Sequence, residues 1–358
     1  MLITDLETGG VPLHLTQLAG RLDKGEFDVH VACLAGEGPI ARDLRNRNIP
    51  VKCLGAKGPW DIRVFYRLAV LLGRYRPHIL HGLMVHPNVA GRLVGSIMSV
   101  PHIIASIHTA EKEKRWHLEI EKFTCRLSRL TVCVSASVYR HVRRHSRVPA
   151  SRMCTIAYGI DIPRFADAEP VDLRRVNLDP QKPTLIFVGR LHPVKGVDLL
   201  LDAFWEIARV HDAQLIIVGD GPLRDTLECR TRKLELTEKV VFCGMCREVA
   251  GYLKAAAAMV MPSYWEGLPI AAIEAMAAGL PVIASRTEGL IDLIEDGKTG
   301  LLFTTGHRNE MKNAISRILS NPPWARTLGQ NARHLITRQY SQQTMIDAYT
   351  RLYRSLVS

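Results

Sequence analysis

Glu266 and Glu274 bracket the segment EGLPIAAIE, which follows the apolar run AAAAMVMPSYW and precedes AMAAGLPVIAS. One carboxylate is thereby expected in a turn at the end of a buried strand. The other falls about two turns into the next helix, close to the same face. Strand, turn, acidic helix entry and small-residue helix describe a site at the carboxyl edge of a parallel sheet, where open α/β folds place their ligands. A second candidate lies upstream in TLIFVGRLHPVKGVDLLLDAF, where Gly189 and Arg190 leave a strand and Lys195 and Gly196 stand just before a helix. Two cations at a strand's carboxyl end, beside a helix N-terminus, suit a diphosphate, each charge-assisted hydrogen bond contributing about 1.5–3 kcal/mol. The plainer alternatives are a loop with two exposed cations and, for Glu266, an acid favoured by the helix dipole.

The elements that must position these residues alternate between short apolar runs and longer amphipathic stretches. In the first half the strand candidates are MLIT, FDVHVACL, VKCLG, ILHGLM, HIIASIH, LTVCVS and MCTIAYG; in the second they are TLIFVG, LIIVGD, VVFCG, MVMPS, PVIAS and GLLF. Such alternation predicts mostly parallel sheets covered by helices on both faces, hence two doubly wound α/β domains in series. The expected domains are 1–165 and 166–340, followed by a terminal helix over 341–358. The seam lies in DIPRFADAEPVDLRRVNLDPQKP, which is rich in Asp and Pro, and a ligand cleft is expected between the domains. The opening strand has only about three residues before a polar turn, short against the usual 5–6, which leaves a start upstream of Met1 or a frayed edge as expectations. After it, Thr8-Gly9-Gly10 enters a helix carrying Leu13, Leu15, Leu18 and Leu22, where glycine amides and the helix N-terminus favour an anion.

At 358 residues the chain exceeds the size at which one core keeps growing. No apolar run reaches the length of a membrane span, and MLITDLETGG lacks the basic and apolar regions of a secretory signal. Eight cysteines at irregular positions do not resemble a disulfide framework, so a reducing, cytoplasmic setting is expected. Cys243-Gly-Met-Cys246 lacks a second ligand pair and reads as two buried thiols rather than zinc ligands.

The charge is uneven. Residues 1–165 hold 24 Lys and Arg against 13 Asp and Glu, a net of +11, whereas 166–358 hold 23 against 22. The basic excess gathers in EKEKRWHLEIEKFTCRLSRL and YRHVRRHSRVPASR. In the first of these, Trp116, Ile120, Phe123, Leu127 and Leu130 predict an amphipathic helix with cationic flanks. That face is either an ordinary solvated surface over a core stripe or one that leans on anionic lipid at the inner face of a membrane; nucleic acid is not the expected partner.

Taken in order, Gly189-Arg190, Lys195-Gly196, VGDGP, VVFCG, PSYWEGLPIAAIEAMAAGLPVIAS and DGKTGLLF resemble the retaining glycosyltransferases of the GT-B fold in the large GT4-type family (glycosyl transferases group 1), whose signature here is Glu-x7-Glu. The likeness covers nearly all of the second half and extends more thinly to LETGG, ASIHT, VCVSAS and YGID in the first. It implies transfer of a sugar from a nucleotide-sugar donor, UDP-linked by the family's commonest habit, to a glycan or lipid-linked acceptor, with no cofactor and no metal. It further implies that Arg190 and Lys195, with Gly189, hold the donor diphosphate. Glu274 takes the ribose hydroxyls, and Glu266 faces the sugar with the backbone of Gly267, Leu268 and Ile270 around it. Gly244 lets a strand edge meet the base, Gly10 brings amides from the first domain, and His108 stands near the reacting centre, with His81 and His86 as weaker acceptor-side candidates.

The chain also departs from the family. The seam reads Ala157-Tyr158-Gly159-Ile160-Asp161 where the family has Asn before Gly, and EGLIDLIEDG lacks the Gly-Gly and Pro common there. Two other classes compete with the transferase: a nucleotide-sugar epimerase of the same fold, and a non-catalytic basic protein binding membranes or nucleic acid.

Overall fold

The computed structural model of the chain describes residues 1–58, 61–108, 115–246 and 248–357, with the backbone alone at Arg115, Trp116 and Leu118. The chain divides into two compact units: residues 1–159 with 342–358, and residues 160–341. The boundary thus falls inside the YGID segment, upstream of residue 165.

In the first unit seven strands form one sheet: β1 (Leu2–Ile3), β2 (Val31–Cys33), β3 (Val51–Cys53), β4 (Ile79–Leu83), β5 (His102–Ile107), β6 (Leu130–Cys133) and β7 (Met153–Thr155). Their order is β3-β2-β1-β4-β5-β6-β7, and every pair is parallel. Each strand lies within one of the expected apolar runs, because a parallel strand covered on both faces must be apolar nearly throughout. The terminal helix Gln342–Val357 belongs to this unit; Met345, Ile346, Tyr349 and Tyr353 pack with Leu18, Leu22, Ile104 and Val132. Leu352 and Leu356, on the same helix, are only partly covered.

The second unit holds β8 (Thr184–Val188), β9 (Gln214–Val218), β10 (Val240–Gly244), β11 (Ala258–Met261), β12 (Val282–Ser285) and β13 (Gly300–Phe303), ordered β10-β9-β8-β11-β12-β13 and again wholly parallel. Leu185, Phe187, Leu215, Ile217, Val260 and Ile283 build its core with the helices Val197–Val210 and Arg308–Ser320.

Two local expectations are corrected. The helix after β11 begins only at Ile270, with Pro269 as its cap, so Glu274 stands just over one turn in rather than two. The helix of the basic segment runs Arg115–Thr124 and ends in a short 3-10 turn, Cys125–Leu127. The expected start of this helix, Glu111–Lys114, and the Trp116 side chain lie outside the described residues. The expected apolar stripe is broken: Phe123 is 77% exposed and Leu127 is exposed, Ile120 and Leu130 are partly buried, and Glu121, Thr124 and Cys125 are buried instead. The cause is Arg92. Its fully buried guanidinium sits 2.5 and 2.7 Å from the two Glu121 carboxylate oxygens and donates to Ser128 and Thr124, so the helix must turn Glu121 inward.

Candidate functional site

The second sheet reverses its strand order between β8 and β11, and the crevice outside such a reversal is where doubly wound sheets bind ligands. Lys195 leaves the β8 side and Glu266 the β11 side. Lys195 closes a 3-10 turn, Pro193–Lys195, capped by the His192 side chain. Gly196 follows with φ +62°, and a Cβ there would meet the Pro262 carbonyl oxygen at 2.4 Å, so only glycine lets this turn rest on the end of β11. Tyr264 N–H donates to the Val194 carbonyl at 2.8 Å and ties the two loops together. The result is a close contact: Lys195 Nζ donates to Glu266 Oε1 at 2.5 Å, and the buried Ser263 hydroxyl donates to the same oxygen at 2.7 Å. Glu266 is itself buried, and Lys195 is mostly covered.

The backbone after Glu266 is held from the other side by β12 and the short helix Glu288–Ile291. Gly289 N–H donates to the Glu266 carbonyl, and a Cβ at Gly289 would lie 2.0 Å from the Gly267 carbonyl oxygen. The Ser285 hydroxyl donates to the Ser263 carbonyl. Leu268 is buried beneath this loop and Ile270 opens the helix that carries Glu274. Burial pushes the Glu274 carboxyl up to about 7, with Arg164 opposing that shift. Gly189 N–H donates to Val218 at the exit of β8, and the Arg190 side chain beside it is exposed. Gly244 ends the edge strand β10, where its carbonyl accepts from Gly219 N–H at 2.8 Å. Cys243 and Cys246 are free and partly exposed, not buried as expected.

Gly10 and His108 lie in the first unit. Gly10 is the first residue of the helix Gly10–Arg21, directly after β1 at that sheet's own strand reversal. At the exit of β4, the strand paired with β1, Met84 adopts φ +83°, a strained conformation for a residue with a side chain, of the kind that gathers at functional sites. His108 follows β5 and is buried; its Nδ1 lies 2.7 Å from the Tyr158 hydroxyl, and the two rings stack at 5.6 Å. Its Nε2 has no partner among the described residues. Burial, then the neighbouring His14 and His81, hold the His108 pKa well below the ordinary histidine range, so the ring is neutral. His81 is a core residue, its nitrogens 2.7 Å from the Tyr353 and Ser106 hydroxyls. His86 lies against His117, with ring centres 5.6 Å apart.

Reading the sequence alone missed Ser263, Arg164, Gly289 and Met84. Ser263 stands three residues before Glu266 at a strand end and was open to inference as a local partner. The importance of Gly289 comes from a backbone approach between distant segments, which no local pattern encodes.

The chain matches the family described as Glycosyltransferase Family 4 over residues 8–164 and that described as Glycosyl transferases group 1 over residues 170–335. Together the two matches take in most of the chain, and it belongs to the glycosyltransferases of the GT-B fold. It is 25% identical over 354 residues, 94% of this chain and 91% of the relative, to the UDP-Gal:alpha-D-GlcNAc-diphosphoundecaprenol alpha-1,3-galactosyltransferase of Escherichia coli. It is 24% identical over 383 residues, 97% of this chain and 96% of the relative, to the alpha-maltose-1-phosphate synthase of Mycolicibacterium smegmatis. Among solved structures, Anabaena HepE in complex with UDP-glucose superposes with a TM-score of 0.88 at 20% identity, covering 99% of both chains.

Proposed function

We propose that the chain is a retaining, GT4-type transferase that moves a sugar from a nucleotide-sugar donor, UDP-linked, to a glycan or lipid-linked acceptor in the making of a surface polysaccharide or glycolipid in the cytoplasm. The observation that carries this reading is the contact of Lys195, Glu266 and Ser263 at the strand reversal of the second sheet. Lys195 and Glu266 neutralise each other there, so an arriving diphosphate is met first by Arg190 and by the N-terminus of the helix Val197–Val210, and then by Lys195. As the phosphate draws the Lys195 ammonium toward itself, Glu266 is released to accept from sugar hydroxyls. Glu274 accepts from the ribose. The cations stabilise charge on the departing diphosphate without a metal in this scheme. Departure and attack on the same face, through an oxocarbenium-like state, would retain configuration, the leaving phosphate taking the acceptor's proton. His108, a neutral ring whose Nε2 has no partner among the described residues, is the first unit's candidate for a hydrogen bond to the reacting sugar. The E. coli relative, named for UDP-Gal and a diphosphoundecaprenol acceptor, supports the donor and the lipid-linked class of acceptor.

A thermal-shift panel of UDP, GDP, ADP and their sugars tests the reading. The expected outcome is a raised melting temperature with UDP and one UDP-sugar, since a ligand at a hundred times its Kd stabilises by about 2.7 kcal/mol. A panel with no shift, in a folded protein, contradicts the donor site.

A further inference from the structure

We infer that the outer surface of three neighbouring helices in the first unit, Arg63–Tyr75, Val85–Ile97 and Arg115–Thr124, docks on an anionic lipid bilayer. From Ile62 to Ala110 the chain contains no Asp or Glu at all, yet it contains Arg63, Arg67, Arg74, Arg76 and Arg92. Only Arg92 turns inward, to Glu121; the other four are exposed. Beside them Ile62 and Tyr66 are 79% and 74% exposed, and Val70 continues their line one turn further along the helix. The second helix adds Leu93 and Ile97, the latter 79% exposed; the third adds Phe123, and the 3-10 turn that ends it adds exposed Arg126 and Leu127. The helices touch in series, first to second and second to third, so these side chains belong to one side of one sheet. Glu119, an exposed carboxylate of the third helix, is neutralised by Lys122 at 2.6 Å.

Single exposed apolar residues are ordinary. Here they recur along adjacent helices, interleaved with arginines that outnumber the one nearby carboxylate, Asp61 beside Arg63 and Arg67; that is the pattern of helices that lie in a membrane interface, where apolar side chains enter the headgroup boundary while cations meet anionic lipid. A second copy of the chain is a poor occupant, because two such faces would set arginine against arginine. The basic segment that drew attention in the sequence contributes only its Phe123–Leu127 end; most of the surface comes from helices that do not stand out as basic. The inference stands apart from the donor site, since none of these residues belongs to it.

Co-sedimentation of the full chain with vesicles tests it. The chain should bind phosphatidylglycerol–phosphatidylcholine vesicles at least about tenfold more tightly than phosphatidylcholine vesicles, each arginine contributing about fivefold, and added salt should weaken the binding. Ile97→Asp with Phe123→Asp, and separately Arg63→Glu with Arg74→Glu, should each lower binding about tenfold or more while leaving UDP-induced thermal shifts unchanged. Equal binding to both vesicles, no binding to the anionic ones, or unaltered binding by either folded double variant would overturn the inference. So would loss of self-association, rather than of vesicle binding, in the same variants, which would mean that a second copy covers the face.

Discussion

At the scale of single residues, Glu274 gives a pH test. Burial raises its folded-state pKa to about 7, above the ordinary carboxylate value, so the folded state holds this proton more tightly than the unfolded chain does. That contribution to stability is complete below the unfolded pKa and is lost as pH rises through about 7. Glu274→Gln mimics the protonated form. It should leave the melting temperature nearly unchanged near pH 4 and raise stability by about 3 kcal/mol near pH 8, as read from melting curves across pH. A variant with the same offset at every pH would refute the assignment. Tyr158 offers a second test. It stands where the family has Asn, and its hydroxyl lies 2.7 Å from Nδ1 of neutral His108; a hydroxyl donating there would hold the ring's proton on Nε2. Tyr158→Phe should therefore produce mixed His108 tautomers in imidazole nitrogen NMR spectra and lower kcat about fivefold, the equivalent of one hydrogen bond, with KM little changed. An unaltered tautomer would show that Tyr158 serves packing alone.

At the scale of elements, the sheets were legible and one helix face was not. All thirteen described strands coincide with apolar runs visible in the sequence, Gln214 alone standing one residue outside its run, because strands covered on both faces must be written in apolar residues. The Glu266 loop and the Lys195 turn were placed at strand ends by the same logic. The orientation of the helix Arg115–Thr124 was misread because its decisive partner, Arg92, lies on another helix, and a buried ion pair outweighed an apparent apolar stripe that ends in exposed Phe123. Tyr353 entered the core for a similar reason, as its hydroxyl meets buried His81, a partner far away in sequence. This reading of Arg92 has a measurable consequence. Glu121→Ala leaves a fully buried guanidinium without its carboxylate and should cost about 3–5 kcal/mol in urea unfolding. Glu119→Ala, which breaks only an exposed pair two residues away, should cost less than about 1 kcal/mol. Similar costs for the two would mean that Arg92 has other support.

At the scale of the molecule, two parallel-sheet units carry different charge and different chemistry. The first holds nearly all the net positive charge, the neutral His108 and an arginine-lined apolar face; the second is close to neutral and pairs Lys195 with Glu266 at its strand reversal. No described helix is long and apolar enough to cross a membrane. The donor-binding claim belongs to the second unit, and its residues were legible because strand ends, glycines and charges there follow one another closely in sequence; the acceptor side depends on surfaces with no comparable local pattern. The most direct measurement is calorimetric titration of UDP into the wild-type chain and into Lys195→Ala and Glu274→Ala. Saturable binding in the wild type, weakened at least about tenfold by each substitution in proteins that still melt cooperatively, is the predicted result. Unchanged UDP affinity in both variants would contradict the account.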